Sequence, residues 1–222
     1  MSYAPIRKIT NSGSRKNTGF FPSIKNERPV AFESLLERDY MYLLEYDDDV
    51  ITYKEQPLTI SYCLDNRIRR YTPDFSVKRK NKTQLIEIKP QSKLKKILYD
   101  DYMLKKYNAA ALFCKSNGYS EFNIVTDEEI RSGHLLNNIK YLFSYSKLVV
   151  PAFEKLEIRN ELMIGGRQQL TQLLSKLCKN DTHSYNYHAY ILAMLFNKEI
   201  QTNLAEPICL KSYVYVEYTE VN

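Results

Sequence analysis

The chain has 222 residues, 44% apolar and 26% charged, with 32 Lys/Arg against 26 Asp/Glu, a formal net charge of +6 and a pI near 8.9. This composition excludes a collagen-like or intrinsically disordered chain and allows one large domain or two small ones. No run approaches the about 18 apolar residues of a membrane span, and no apolar block follows the N-terminal basic residues as it would in a secretory signal; a cytoplasmic protein is expected, with a charge balance that leans towards a polyanionic partner.

Residues 1–28 carry Arg7, Lys8, Arg15, Lys16, Lys25 and Arg28 against the single acid Glu27, and read as a basic flexible arm. Phe32 to Tyr46 has helical periodicity, with Phe32, Leu35, Leu36, Tyr40, Leu43 and Leu44 three and four apart. Glu33 and Glu37 are then neighbours on one face. Asp47-Asp48-Asp49 should be loop, because acids oppose the dipole at a helix C-terminus.

Four strands follow, over Val50–Lys54, Leu58–Leu64, Arg69–Lys78 and Gln84–Lys89, with turns at Asp65-Asn66 and Lys80-Asn81-Lys82. Pro90 removes a donor and ends the last strand. Lys93 to Cys114 reads as one long helix with Leu94, Ile97, Leu98, Met103, Leu104 and Tyr107 on its apolar side, stopped by Asn117-Gly118. Phe122–Val125 is a short strand, and Thr126 to Glu129 a capping box opening another helix. A strand meander followed by helix, strand and helix gives an α/β layered domain over 29–149. Residues 150–222 predict three helices, Phe153–Met163, Gln168–Lys179 and Tyr185–Phe196, then short strands near Glu199–Thr202 and Ser212–Tyr218. They form a smaller helix-rich domain of winged-helix-like character.

The chemistry centres on Glu87-Ile88-Lys89. Strand alternation puts Glu87 and Lys89 on one face and Ile88 in the core. A turn around Asn81 brings Asp74 opposite Glu87, which gathers two carboxylates and an ammonium. Hydrolysis of a phosphodiester needs an activated water, a clamp on the phosphate and relief for the leaving oxygen, all of which a hard divalent cation supplies. Mg2+ prefers oxygen ligands; Asp74, Glu87 and the Ile88 carbonyl suit it, with Glu37 completing a second position or holding a metal-bound water. Lys89 would orient or deprotonate the water, or stabilise the transition state. A bare salt-bridge cluster on a sheet surface would use the same residue types. Pro73 before the aspartate, the apolar Leu85, Ile86 and Ile88, and the acid-bearing helix upstream favour the nuclease site. Ten Lys/Arg between residues 78 and 106 add phosphate-binding character beside it.

Glu33 to Asp39, Glu55-Gln56-Pro57, Tyr71-Thr72-Pro73-Asp74-Phe75 and Ile86-Glu87-Ile88-Lys89-Pro90 occur in that order. Over residues 28–130 the chain resembles the TnsA endonuclease subunits of Tn-seven-type cut-and-paste transposons. The resemblance implies a restriction-endonuclease-like fold and a PD-(D/E)xK site made of Glu37, Asp74, Glu87 and Lys89. It also implies Mg2+-dependent cutting of the 5′, non-transferred strands at double-stranded transposon ends, with a TnsB transposase joining the 3′ ends and a TnsC AAA ATPase meeting the C-terminal domain. Some members carry Gln in place of Glu87. Glu33 is the rival of Glu37, and the family spacing to Glu55-Gln56-Pro57 favours Glu37. Two other readings stand beside this one: a stand-alone restriction-like or junction-resolving nuclease, and a non-catalytic DNA-binding assembly module.

Cys63, Cys114, Cys178 and Cys209 have no metal-ligand spacing and read as reduced, mostly buried thiols. His134, His183 and His188 are scattered, and Gly165-Gly166 is a turn rather than a phosphate loop. Arg159, Arg167, Lys176 and Lys179 suit either DNA backbone or a solvated face, and Tyr185, Tyr187 and Tyr190 read as packing residues.

Overall fold

The computed structural model describes residues 17–97, 99–178 and 184–217, with backbone alone at 95–97 and 184–185. Arg7, Lys8, Arg15 and Lys16 of the expected arm lie outside the described residues, as do Leu98, Lys179, His183, Tyr218 and the side chains of Ile97 and Tyr185. Two compact units divide at Ser132/Gly133, earlier than the expected boundary at 149/150. The helix Leu135–Phe143 belongs to the second unit because its Leu142 is fully buried in that unit's core.

The first unit opens with a hairpin, β1 (Gly19–Ser23) against β2 (Arg28–Phe32), where residues up to 28 were expected to be arm. Phe21 and Val30 are buried, and buried carboxylates fasten the hairpin. Glu45 accepts from Ser23 Oγ at 2.5 Å and from the Ile24 and Lys25 N–H groups at 3.1 Å. Glu55 takes a bidentate pair from Arg28 at 2.8 and 2.7 Å.

Helix α1 (Leu35–Tyr46) begins later than its periodicity predicts, because Phe32 is spent in β2 and Ser34 is the N-cap. Leu36, Tyr40, Met41 and Leu44 form its buried face. It ends at Asp47, and Lys25 Nζ donates to the Asp47 and Val50 carbonyls, a cation where the dipole favours one.

Next come β3 (Val50–Glu55), β4 (Ile60–Leu64) and β5 (Arg67–Tyr71). Asp65 and Asn66, at φ 51° and 55°, make the tight turn between β4 and β5. The single strand expected over Arg69–Lys78 is broken at Thr72-Pro73-Asp74, after which β6 (Phe75–Arg79) and β7 (Thr83–Lys89) follow. Pro73 has no N–H to give a ladder. The long helix expected from Lys93 is two, α2 (Gln91–Ile97) and α3 (Asp101–Ser116). Asp100 separates them by capping the Tyr102 and Met103 N–H groups. Gly118, at φ 75°, lets the chain turn into β8 (Glu121–Thr126), and Thr126 and Glu129 close a capping box on the four-residue α4 (Asp127–Ile130).

The central sheet has the order β3-β6-β7-β8, antiparallel except for β7 and β8, whose parallel pairing needs the α2–α3 crossover. The β4–β5 ribbon stands as its own sheet, and Ile60, Tyr62, Leu64 and Tyr71 share a core with Leu85, Tyr107, Ala110 and Cys114.

The second unit comprises α5 (Leu135–Phe143), α6 (Ala152–Gly165), β9 (Gln168–Gln169), α7 (Leu170–Leu177), α8 (Ser184–Phe196), β10 (Gln201–Thr202) and β11 (Tyr213–Tyr215). β11 lies between β9 and β10, antiparallel to both. Ile191, Leu192 and Met194 of α8 are completely buried with Ile158, Leu162 and Leu173. Gly166, at φ 64°, turns the chain out of α6.

Candidate active site

Asp74 sits just ahead of β6. The pairing Phe75↔Ile86 carries on to place Asp74 opposite Glu87. It is held through its backbone and its side chain. The Gln56 N–H donates to the Asp74 carbonyl at 2.8 Å, and the Ile88 N–H donates to Asp74 Oδ2 at 2.7 Å. Gln56 itself takes φ 42°, a left-handed conformation rare for this residue type and of the kind that clusters at functional sites.

Glu87 is 3% exposed. It faces α3 because it alternates with Leu85, a member of the core under that helix. Tyr71 donates to Glu87 Oε2 at 2.6 Å, and the Lys89 ammonium lies 2.7 Å from Oε1. Lys89 Nζ also reaches the Ile88 carbonyl at 3.2 Å and Asp74 Oδ2 at 4.0 Å. One positive charge is therefore ringed by the oxygens of Asp74, Glu87 and Ile88. Lys106, from α3, lies 3.7 Å from the same Glu87 Oε1, with its ammonium 4.5 and 4.4 Å from the Tyr71 and Tyr107 ring centres.

Glu37 lines the same cavity, of about 760 Å³, together with Arg70, Asp74, Glu87, Lys89 and Lys106. Its carboxylate is engaged at the start of α1. Oε2 accepts from the Glu33 N–H at 2.8 Å and Oε1 from Ser34 Oγ at 2.8 Å, while Ser34 Oγ accepts from the Glu37 N–H at 3.1 Å. Glu33, rather than sharing a helix face with Glu37, precedes the helix and accepts from Gln56 Nε2 at 2.9 Å. Among the described residues, no three His, Cys, Asp or Glu side chains are grouped to hold a metal ion. The structure thus brings together Asp74, Glu87, Ile88 and Lys89, and sets Glu37 apart as a cap on the cavity wall.

The electrostatics follow from crowding. Burial, then the charges of Glu87 and Glu37, hold the Asp74 carboxyl well above the ordinary carboxylate range, against the pull of Lys89 and the Ile88 N–H. Burial likewise raises Glu37 despite its two local hydrogen bonds. Burial works against the Lys89 ammonium, but Glu87 and Asp74 outweigh it and hold Lys89 above the ordinary lysine range. For Lys106 burial prevails, helped by the charge of Lys89, and its pKa is lowered.

Residues 47–127 match the family model of the TnsA-like endonuclease N-terminal domain. The matched segment is TnsA-like. Asp74, Glu87, Lys89 and Lys106 fall inside the matched segment and Glu37 ahead of it. The TnsA-like domain marks an endonuclease of the kind that serves Tn7-type transposition, and its mixed α/β architecture fits a restriction-endonuclease-like fold. No curated protein matches the chain.

Tyr71 and Lys106 are absent from the sequence-based site. Tyr71 lies within the Tyr71-to-Phe75 motif, but only the ribbon's packing shows that its hydroxyl reaches Glu87. Lys106 is one of ten basic residues between 78 and 106, and no periodicity announces the break at Asp100 that aims α3. Several basic groups elsewhere are committed. Arg79 pairs with Asp47 at 2.6 Å and Asp49 at 3.3 Å, and Lys82 pairs with Glu121 at 2.8 Å. In the second unit Arg159 donates to the Glu199 carbonyl, Arg167 stacks over Tyr213 and Lys176 pairs with Glu161. Cys63 and Cys209 are exposed, Cys178 is half-buried and only Cys114 is buried, a correction to the expectation of mostly buried thiols. Cys63 falls on the outward face of β4 by strand alternation. No helix among the described residues is long and apolar enough to cross a membrane.

Proposed function

We propose that this chain is a Mg2+-dependent DNA endonuclease of the PD-(D/E)xK kind. It cuts the 5′, non-transferred strands at transposon ends during cut-and-paste transposition, with a TnsB-like transposase and a TnsC-like AAA ATPase as partners. The supporting observation is the ring of Asp74, Glu87 and Ile88 oxygens around the Lys89 ammonium. An oxygen set that surrounds one cation suits another, and Mg2+ is usually held by one or two carboxylates with water and phosphate completing its shell. Asp74, Glu87 and the Ile88 carbonyl would hold it. Bound there, the ion supplies an activated water, a clamp on the scissile phosphate and charge relief for the leaving oxygen.

The protein's own groups divide the remaining work. Lys89, kept protonated by its carboxylate neighbours, neutralises charge building on the phosphate in the transition state. Tyr71 fixes the Glu87 carboxylate through its hydroxyl, so that the other oxygen faces the cavity. Lys106, backed by two tyrosine rings, brings a second ammonium to the same wall. Glu37 hydrogen-bonds water at the mouth of the site.

The second unit is read as winged-helix-like. The order α6-β9-α7-α8-β10-β11, with β11 central, is a helical trio followed by a wing. The helix in the usual DNA-reading position, α8, carries no Lys or Arg and buries Ile191 through Leu195. It has no cation to offer the DNA backbone, which favours protein contact by this unit.

Strand-specific cleavage of end-bearing DNA, with the partner transposase and ATPase present, tests the reading. Asp74→Ala should abolish 5′-strand cuts, leave 3′ joining intact and shift products from simple insertions to cointegrates. Unchanged 5′ cutting would refute the site, and efficient cutting by the purified chain alone would replace the transposition role with a stand-alone nuclease.

A further inference from the structure

In the β4–β5 ribbon the pairs are Ile60↔Tyr71, Ser61↔Arg70, Tyr62↔Arg69, Cys63↔Ile68 and Leu64↔Arg67. Ile60, Tyr62, Leu64 and Tyr71 face inward onto α3. That leaves Ser61, Cys63, Ile68 and Arg70 on the outward face. Four successive β5 residues, Arg67 to Arg70, are exposed, and Ile68 is 80% exposed. Among the described residues no ion pair joins Arg67, Arg69 or Arg70 to a carboxylate. This sets them apart from Arg28, Arg79 and Arg131, each of which is paired. Arg70 also lines the cavity that holds Asp74, Glu87 and Lys89.

Two residues of strand advance about 6.7 Å, close to the step between successive phosphates on one DNA strand. Guanidinium groups bind phosphate oxygens through paired donors and shed water more readily than ammonium groups. An edge strand that needed charge only to discourage pairing would have no use for a bare isoleucine among its arginines. We propose that the free edge of this ribbon forms a phosphate rail: Arg70 on the outward face, and Arg67 and Arg69, which share the other face with Leu64 and Tyr62, reach past the exposed edge to grip one backbone of duplex DNA and lead it into the cavity at Asp74, while Ile68 rests on the sugar and base surface of the groove. The contacts position the duplex and carry no sequence preference. The proposal rests on the endonuclease reading above and adds the surface that delivers the substrate.

The test uses the full chain, a duplex oligonucleotide of arbitrary sequence and a chelator to silence cutting, with binding followed by anisotropy between about 50 and 200 mM salt. The triple variant R67A/R69A/R70A should lower the slope of log affinity against log salt by roughly 2–3, at about 0.9 per phosphate contact, with an unchanged thermal melt. The matching triple lysine variant should recover most of the slope. Maleimide labelling of Cys63, read by peptide mapping, should slow when the duplex is present. An unchanged slope in the alanine variant, unaltered Cys63 labelling, or no duplex binding by the unsubstituted chain at low salt would each overturn the rail. Asp74→Ala separates the two readings, since it should lose cutting while keeping the full salt slope. A lost slope in the ribbon variant beside undiminished cutting in Asp74→Ala would remove the catalytic assignment and keep the rail.

Discussion

The two units bury different things. The first encloses Asp39, Glu45, Glu55 and Glu87, while the buried polar residues described in the second are Asn138 and Gln168. A buried carboxylate is tolerated only where partners replace its water, and three of the four are fully served. Asp39 meets Arg131 at 2.9 and 2.8 Å, Glu45 has four donors including Tyr53 at 2.7 Å, and Glu55 has Arg28 and the Ala31 N–H. Glu87 differs. Its partners are lysines and a tyrosine that also line a cavity, beside an Asp74 whose carboxyl is driven upward by crowding. The second unit closes on aliphatic side chains, and its Asn138 is absorbed by the Leu204 and Glu206 carbonyls and the Ile208 N–H. One unit spends buried charge on fastening and on the wall of a cavity, and the other on neither.

The largest effect expected from that contrast is on activity. Asp74→Ala should reduce 5′-strand cutting by roughly a thousandfold or more, the scale on which preorganised charge acts at such sites, while the second unit's thermal transition stays where it was. A cut rate within tenfold of the unsubstituted chain would make the Asp74 and Glu87 cluster one more structural charge group.

Stability sharpens the contrast next. Glu45→Ala would strand the Ser23 and Tyr53 hydroxyls and two backbone N–H groups, and should cost about 3–5 kcal/mol. Leu192→Ala, in the aliphatic core, should cost about 2–5 kcal/mol through its cavity. Unfolding followed by probes in each unit should assign the first loss to the hairpin-bearing unit and the second to the other. A shared, equal shift for both variants would show that the units do not melt separately.

Local chemistry made much of this legible. The hairpin turn at Asp65-Asn66, the stop at Asn117-Gly118 and the capping box at Thr126 each depend on a few adjacent residues, and each stands at its expected place. Helices α6, α7 and α8 of the second unit follow their apolar spacing, whereas β9 is two residues whose pairing with β11 no periodicity can announce. Misplaced elements are those fixed by remote partners. Residues 19–28 look like tail until Glu45 and Glu55 are seen to hold them, and Asp100 looks like a helix residue until its side chain caps α3. At the candidate site, alternation alone puts Glu87 and Lys89 on one face. The Tyr71 and Lys106 contacts depend on a ribbon and a helix separated from Glu87 in the chain.

A smaller effect concerns pH. The Asp74 carboxyl is raised in the folded chain above its unfolded value, so its contribution to stability is fully present below the unfolded pKa, near 3.9, and is lost as pH rises through the folded value. Asp74→Asn keeps an oxygen to accept from the Ile88 N–H and removes the titrating charge. It should therefore stabilise the first unit at pH 8, on the order of 1 kcal/mol or about 2–4 °C, with a gain that shrinks towards pH 5. A gain that grew on acidification would have the wrong sign for a carboxyl strained by its neighbours. Loss of activity with a gain in stability is the pattern expected where like charges are gathered for chemistry.

Glu37 gives the smallest change in stability and the finest distinction. As a cap it needs only acceptor oxygens for the Glu33 N–H and Ser34 Oγ, and a glutamine at the third helical position can supply one. Glu37→Gln should then move the melting free energy by no more than about 0.5 kcal/mol, the range of substitutions that leave such features intact, since burial already disfavours the charged form. If the carboxylate also holds water at the cavity mouth, cutting should fall at least tenfold in the same variant. Its dependence on Mg2+ concentration should change little if, as proposed, Asp74, Glu87 and the Ile88 carbonyl hold the ion without it. A variant that cuts normally would leave Glu37 a helix cap alone and confine the site to the two strands. One that cuts only at raised Mg2+ would return Glu37 to the ligand set, from which its present hydrogen bonds turn it away.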